Sequence, residues 1–280
     1  MAEFARFSPD HRLASLIHGY WFLRTGKQVK LIELVPDGYP ELLFVRQGAV
    51  WYQVGTAALW HGFNSCGVLG QLGGQFQISI PPECEILFVK FHPWTLYTAL
   101  QTPMYLLNNA MTELAGLSLG PEWIDLERDI RSANDNTECC RLLDTFFLRK
   151  LQTNMTTSPL LHFSVQTIFQ RSGAISLDQL NGQLKVSNRY LQRLFKQQLG
   201  LSPKHYARII RVKKASIHML NPQLNRPLVQ IAAELDYFDQ SHFLKDFKSI
   251  VGKSPTAFLK QEHEFSPEAL AVYLGQWAYS

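Results

Sequence analysis

The chain has 280 residues, 46% of them hydrophobic and 18% charged, with a formal net charge of +4. That length suits two domains with separate cores, and that balance excludes wholesale disorder. No apolar run approaches the roughly 18–20 residues of a membrane span, and the opening MAEFARFSPDHRLAS lacks a signal-peptide core, so a cytoplasmic location is expected.

The first ninety residues read as β structure. VKLIELV (29–35), ELLFV (41–45), AVWYQV (49–54), QFQISI (75–80) and EILFVKF (85–91) are rich in β-branched and aromatic residues, with turn signals between them. Seven or eight such strands at short spacing suggest a barrel or sandwich. Asp37-Gly38 follows Pro36 and reads as a turn, as does GQLGGQ at 70–75. After His92-Pro93 the pattern becomes helical, most clearly at 137–151, where positions 139, 142, 143, 146 and 147 are apolar on one face. TNMTTSP (153–159) reads as a linker, with Ser158 and Pro159 as N-cap and first residue of the next helix.

From there the chain is helical and writes one phrase twice. YLQRLFKQQLGLSPKHYAR (190–208) returns 52 residues later as HFLKDFKSIVGKSPTAFLK (242–260). The identities are Phe195/Phe247, Lys196/Lys248, Gly200/Gly252, Ser202/Ser254 and Pro203/Pro255. The G-x-S-P string ends one helix with glycine and starts another with a serine cap and a proline that needs no N–H. Upstream of each copy stands a short apolar-faced helix, lined by Leu177, Leu180 and Leu184 in the first and by Leu228, Ile231, Ala232 and Leu235 in the second. A brief turn follows each, with Ser187 and Asp239 as the N-caps of the second helices. Short helix, turn and capped second helix is helix-turn-helix geometry, here in duplicate.

The faces opposite the phenylalanines are polar and basic. Asn188, Arg189, Gln192, Arg193 and Lys196 occupy the first, and Gln240, Ser241, Lys245 and Lys248 the second. Such side chains read base edges or grip phosphate. Between the copies, 202–220 reads as a helix of about eighteen residues. Tyr206, Ile209, Ile210, Ile217 and Leu220 face inward, Arg208, Arg211, Lys213 and Lys214 stay polar, and Asn221-Pro222 stops it. Charge follows the same division: residues 158–263 carry 15 Lys and Arg against 6 Asp and Glu, whereas residues 1–157 carry 12 against 15. A basic C-terminal part points to a polyanionic partner.

ISLDQLNGQLKVSNRYLQRLFKQQLGLSPKHY followed by PLVQIAAELDYFDQSHFLKDFKSIVGKSPTAFLK resembles the double helix-turn-helix domain of AraC-type bacterial transcription regulators, over about residues 160–262. The resemblance implies that Arg189, Gln192 and Arg193 in the first copy, and Gln240, Ser241 and Lys245 in the second, lie at the groove; Asn188, Lys196 and Lys248 on the same faces are also expected to meet DNA. Asn181-Gly182 and Asp236 depart from the family pattern, which favours alanine after the leucine of the first helix and glycine in the second turn. LVPDGYPELLF (34–44) and GQLGGQFQISIPPECEILFVKFHP (70–93) are similar, more loosely, to the cupin-like sensor region of some of these regulators. That implies a small barrel used for effector sensing, dimerisation or both.

Nothing in the residues favours catalysis. His61 and His92 have no second ligand at metal spacing, and there is no nucleophile elbow, Walker A loop or dinucleotide fingerprint. Cys66, Cys84, Cys139 and Cys140 show no C-x-x-C spacing and read as reduced thiols. Trp21, Tyr39, Trp51, Trp60 and Phe91 are candidates to line an effector cavity, against core packing as the plain alternative.

The expectation is an α+β protein. Residues 1–152 form a cupin-like β-barrel with trailing helices, 160–262 an all-α domain of two helix-turn-helix modules joined by a long helix, and 263–280 a tail. It is a sequence-specific transcription regulator without metal or cofactor, and its partner is double-stranded DNA at two successive major grooves. A small-molecule effector, a homodimer and RNA polymerase are the further partners considered. The alternatives are a regulator whose barrel only dimerises and a cupin-type enzyme.

Overall fold

Short β-branched and aromatic runs become strands here because side chains can be covered on both faces of one sheet. The computed structural model describes residues 3–55, 59–152, 158–220 and 226–261. In chain order the strands are β1 (Glu3–Phe7), β2 (Ile17–Arg24), β3 (Lys30–Leu34), β4 (Glu41–Gln47), β5 (Val50–Val54), β6 (His61–Phe63), β7 (Cys66–Leu69), β8 (Phe76–Ile80) and β9 (Glu85–Phe91). Helix α1 (Leu96–Leu100) precedes β10 (Met111–Glu113), and α2 (Glu122–Ser132) and α3 (Asn136–Gln152) follow.

The strands form two antiparallel sheets, ordered β1-β2-β9-β4-β7-β10 and β3-β8-β5-β6. They do not close into the expected barrel, since no ladder joins the two among the described residues. Side-chain packing holds them together instead. Leu43, Val45 and Ile86 of the larger sheet meet Val50, Phe76, Ile78 and Ile80 of the smaller one in one apolar layer. The alternate residues Leu42, Phe44, Leu87, Val89 and Phe91 point the other way, onto Trp123, Leu126, Leu143 and Phe147 of α2 and α3. Helices, large sheet and small sheet therefore make three layers. The face expected at 137–151 is the one α3 buries, through Cys139, Leu143 and Phe147, with Leu142 and Phe146 partly covered.

The C-terminal part is a chain of helices: α4 (Pro159–Gln170), α5 (Leu177–Leu184), α6 (Asn188–Gln198), α7 (Pro203–Leu220), α8 (Leu228–Glu234), α9 (Gln240–Val251) and α10 (Pro255–Gln261). Phe195, Tyr206, Ile210, Phe243 and Phe247 centre one core that also takes in Trp94 from the N-terminal part. The Trp94 ring stands edge-on to His162 of α4 at 4.3 Å between centroids. Residues 153–157 of the expected linker, Asn221-Pro222 and the tail 263–280 lie outside the described residues.

Candidate nucleic-acid interface

Each module is built from local signals. Helix α5 starts in a full capping box between Ser176 and Gln179. Ser187 Oγ then accepts from Tyr190 N at 3.2 Å to start α6, and Asp239 Oδ1 accepts from His242 N at 2.7 Å to start α9. The turns inside the modules use Lys185 (φ 53°) and Asp236 (φ 57°), both in the left-handed region at equivalent points of the repeat. Asp236 thus supplies the conformation that glycine provides in the family pattern. The two G-x-S-P strings also act alike: Ser202 Oγ accepts from His205 N and Ser254 Oγ from Ala257 N, each at 3.2 Å.

With Phe195 and Phe247 fully buried, the opposite faces of α6 and α9 are turned to solvent. Asn188, Arg189, Gln192, Arg193 and Lys196 are all exposed, and so are Gln240, Ser241, Lys245 and Lys248. The Arg193 guanidinium lies 5.8 Å from the Tyr190 ring centroid. Lys196 Nζ lies 5.3 Å from the ring centroid of Tyr105 in the N-terminal part. Asn188 accepts from the Asn181 amide, which ties the start of α6 back to α5.

Helix α7 is less solvated than its sequence suggests. Lys213 is 1% exposed. Its charge bears on Asp37 of the N-terminal part, whose carboxylate also meets Lys90 Nζ at 2.6 Å. Burial pushes the Asp37 carboxyl up, but Lys90 and Lys213 outweigh it and hold it below the ordinary range. Glu41, 2.8 Å from the same ammonium, stays raised by burial. Arg208 pairs with Asp246 of α9 at 2.8 Å, and Arg211 donates to the Gly173 carbonyl at 2.8 Å while lying over Tyr237. These two arginines brace the second module against the first.

One prominent side chain was missed. Phe238, in the turn before α9, is 93% exposed beside the buried Tyr237. The available signal was the aromatic pair in DYFD, of which a turn that short can bury only one.

The five aromatics considered for an effector cavity are dispersed. Trp51 and Trp60 are 41% and 37% exposed, on β5 and just before β6. Phe91 is fully buried against Phe147, because its position on β9 faces α3 rather than the space between the sheets. Trp21 and Tyr39 come together, each with its ring centroid 5.8 Å from Lys90 Nζ and both beside the His18 ring. Two clefts lie elsewhere. One of about 300 Å³ is lined by Arg24, Arg46 and Glu85, and one of about 520 Å³ between the modules by Ile168, Leu180, Arg208 and Asp246. No three His, Cys, Asp or Glu side chains converge as a metal site among the described residues. No described helix is long and apolar enough to cross a membrane.

Comparison with known proteins bears on both parts. A family model described as a helix-turn-helix domain matches residues 180–261, and one described as a domain of unknown function (DUF6597) matches residues 5–113. The Msm operon regulatory protein of Streptococcus mutans is 27% identical over 122 residues, which are 43% of this chain and 43% of that protein. The match thus spans under half the length of this curated relative. ToxT of Vibrio cholerae aligns in structure over 88% of this chain and 98% of its own, at 13% identity and a TM-score of 0.46. The C-terminal domain of AraT, a response regulator of Geobacillus stearothermophilus, is 31% identical over 37% of this chain and 86% of its own, at a TM-score of 0.35.

Proposed function

From the premise that this chain carries the helix-turn-helix domain of AraC-type regulators, we propose that it is a sequence-specific DNA-binding transcription regulator and not an enzyme. One observation carries the reading: two equivalent, N-capped helices bury the same phenylalanine and turn polar, basic faces outward. Helices α6 and α9 enter successive major grooves of double-stranded DNA, about one turn or roughly 34 Å apart. Asn188, Arg189, Gln192, Arg193, Gln240 and Ser241 supply hydrogen bonds to base edges, and Lys196, Lys245 and Lys248 supply salt-dependent phosphate contacts. Phe238 projects where an apolar side chain can meet a thymine methyl group or the sugar edge.

The N-terminal sheets serve control. A small-molecule effector acts on such a protein only by binding the DNA-competent and incompetent arrangements unequally. The junction around Trp21 and Tyr39, which touches both parts through Lys90 and Phe169, is the place we assign to that discrimination. Homodimerisation and contact with RNA polymerase belong to the same reading, in the cytoplasm.

The test is a titration of the purified protein against its own upstream DNA and a scrambled duplex at two salt concentrations. Tighter binding to the first, with a steep salt slope, is expected. No binding to either duplex at low salt would sink the reading.

A further inference from the structure

The GQLGGQ stretch at 70–75, which joins β7 to β8, is more than a turn: it is a ledge on which the helical part rests. Gln71 is buried and donates through Nε2 to the Gly38 carbonyl at 2.8 Å. Its own carbonyl accepts from Asn109 N at 3.1 Å, while Gly73 N donates to Asn109 Oδ1 at 2.7 Å. Residues 70–75 and 108–109 are therefore one hydrogen-bonded unit. Across from it, His205 Nε2 of α7 lies 3.3 Å from the Gly73 carbonyl.

Two contacts of this unit fall on the repeat. Asn108 Nδ2 donates to the Gly200 carbonyl at 2.6 Å. The Gln75 side chain packs on Gly252, where an added Cβ would stand 2.8 Å from Gln75 Cδ. Gly200 and Gly252 are equivalent positions, 52 residues apart. Each follows a recognition helix with positive φ, +102° and +85°. The N-terminal part thus touches both modules at the same point of the repeat, with an amide side chain each time. One further contact holds each end: Gln197 with the Tyr97 hydroxyl at 3.4 Å, and Lys253 with Glu33.

A helix gripped at its C-terminal turn keeps the position of that turn, and two helices gripped at their C-terminal turns from one hydrogen-bonded ledge keep the separation of those turns. DNA is unforgiving of that separation. One extra base pair shifts the second groove by about 3.4 Å and turns it by roughly 35°. We infer, on the DNA-binding reading above, that Gln75 and Asn108 are positioning residues that set the spacing of the two half-sites the protein accepts. They touch no DNA themselves; they act through the turns that end α6 and α9.

The experiment uses the full chain and a duplex that it recovers from a random-sequence pool. The spacer between the half-sites is kept, lengthened or shortened by one base pair. The unaltered protein is expected to bind both altered duplexes about tenfold more weakly or worse. The double variant Gln75→Ala/Asn108→Ala is expected to cut that penalty to about threefold or less, with unchanged base preference inside each half-site. Wild-type discrimination in the variant, or an equal loss on all three duplexes, overturns the inference. Should the double variant fail to fold, Gln75→Ala and Asn108→Ala are each tested singly in the same way against the same outcomes. Recovery of no preferred sequence by the unaltered protein would overturn the DNA-binding reading itself and take this inference with it.

Discussion

The hydroxyl of Tyr206, on the helix that joins the two modules, donates to the carbonyl of Gly38, 168 residues earlier, at 3.2 Å. The same carbonyl accepts from Gln71, so one turn of the N-terminal part receives a donor from the ledge and a donor from α7. Tyr206 is fully buried, and burial pushes its phenol far above the ordinary range, so it acts only as a neutral donor. Tyr206→Phe removes one of two donors and leaves the carbonyl paired. The expected loss is about 1 kcal/mol of stability, read as a lower denaturant midpoint with an unchanged slope.

Lys213 answers to the same turn through Asp37. Lys213→Met keeps the volume but leaves Asp37 and Glu41 to share the Lys90 ammonium. Breaking a buried charge cluster by removing one member is expected to cost about 3 kcal/mol. Lys214→Met, turned about 100° from Lys213 around the same helix and less buried, is expected to cost under about 1 kcal/mol in the same chemical denaturation series.

Acid should loosen the junction around His18 and His92. Burial lowers the His18 imidazole to about 3 and that of His92 to about 4. Both folded values lie below the unfolded value of about 6.5. Their contribution is therefore fully present above that value, and it is lost as pH falls from there through about 4 for His92 and about 3 for His18. Each histidine is expected to remove on the order of 2 kcal/mol between pH 7 and pH 4, discounted for partial exposure. His18→Phe, which keeps an aromatic ring beside Trp21 and Tyr39, should flatten the acid side of the melting temperature against pH. An unchanged profile would show that His18 is not responsible.

Glycine substitutions should divide by backbone conformation. At Gly200 and Gly252 the positive φ costs an L side chain about 1–2 kcal/mol, and the added methyl also displaces Asn108 or Gln75. Gly182 sits inside α5, exposed, with open space where a Cβ would go. Gly182→Ala is expected to stabilise by about 0.5–1 kcal/mol. Thermal melts of the three alanine variants decide it.

The cysteines should be slow to react. Cys66 and Cys139 are buried, and burial raises both thiols. Cys140, partly exposed, is pushed up to about 12 by burial and by the nearby Asp144 carboxylate. A disulfide reagent at pH 7.5 is expected to titrate these three only after denaturation, since the thiolate is the reactive form. A fast-reacting thiol at Cys140 in the folded protein would contradict this.

Short-range physics made the helical part legible in the sequence. Ser187 and Asp239 cap the helices they were expected to cap, and the G-x-S-P strings end and restart helices in both copies. Caps, glycine turns and 3.6-residue periodicity act within a few residues, so they can be read without knowing what packs where. Strand β2 was not legible, because IHGYWFLR is covered on both faces and shows no alternation. Other features turned on partners far away in the chain. Trp51 and Phe91 are both large aromatics on strands, yet Phe91 is fully buried because α3 covers its face of the large sheet, whereas Trp51 lies on the outer face of the small sheet, opposite the buried Val50. Lys213 looks like a solvated lysine until Asp37 comes to lie near it, and GQLGGQ looks like a turn until two glycines of the repeat settle on its ledge. Residue type fixes what a side chain gains from burial or pairing, but only the folded chain decides which surface or charge arrives to meet it.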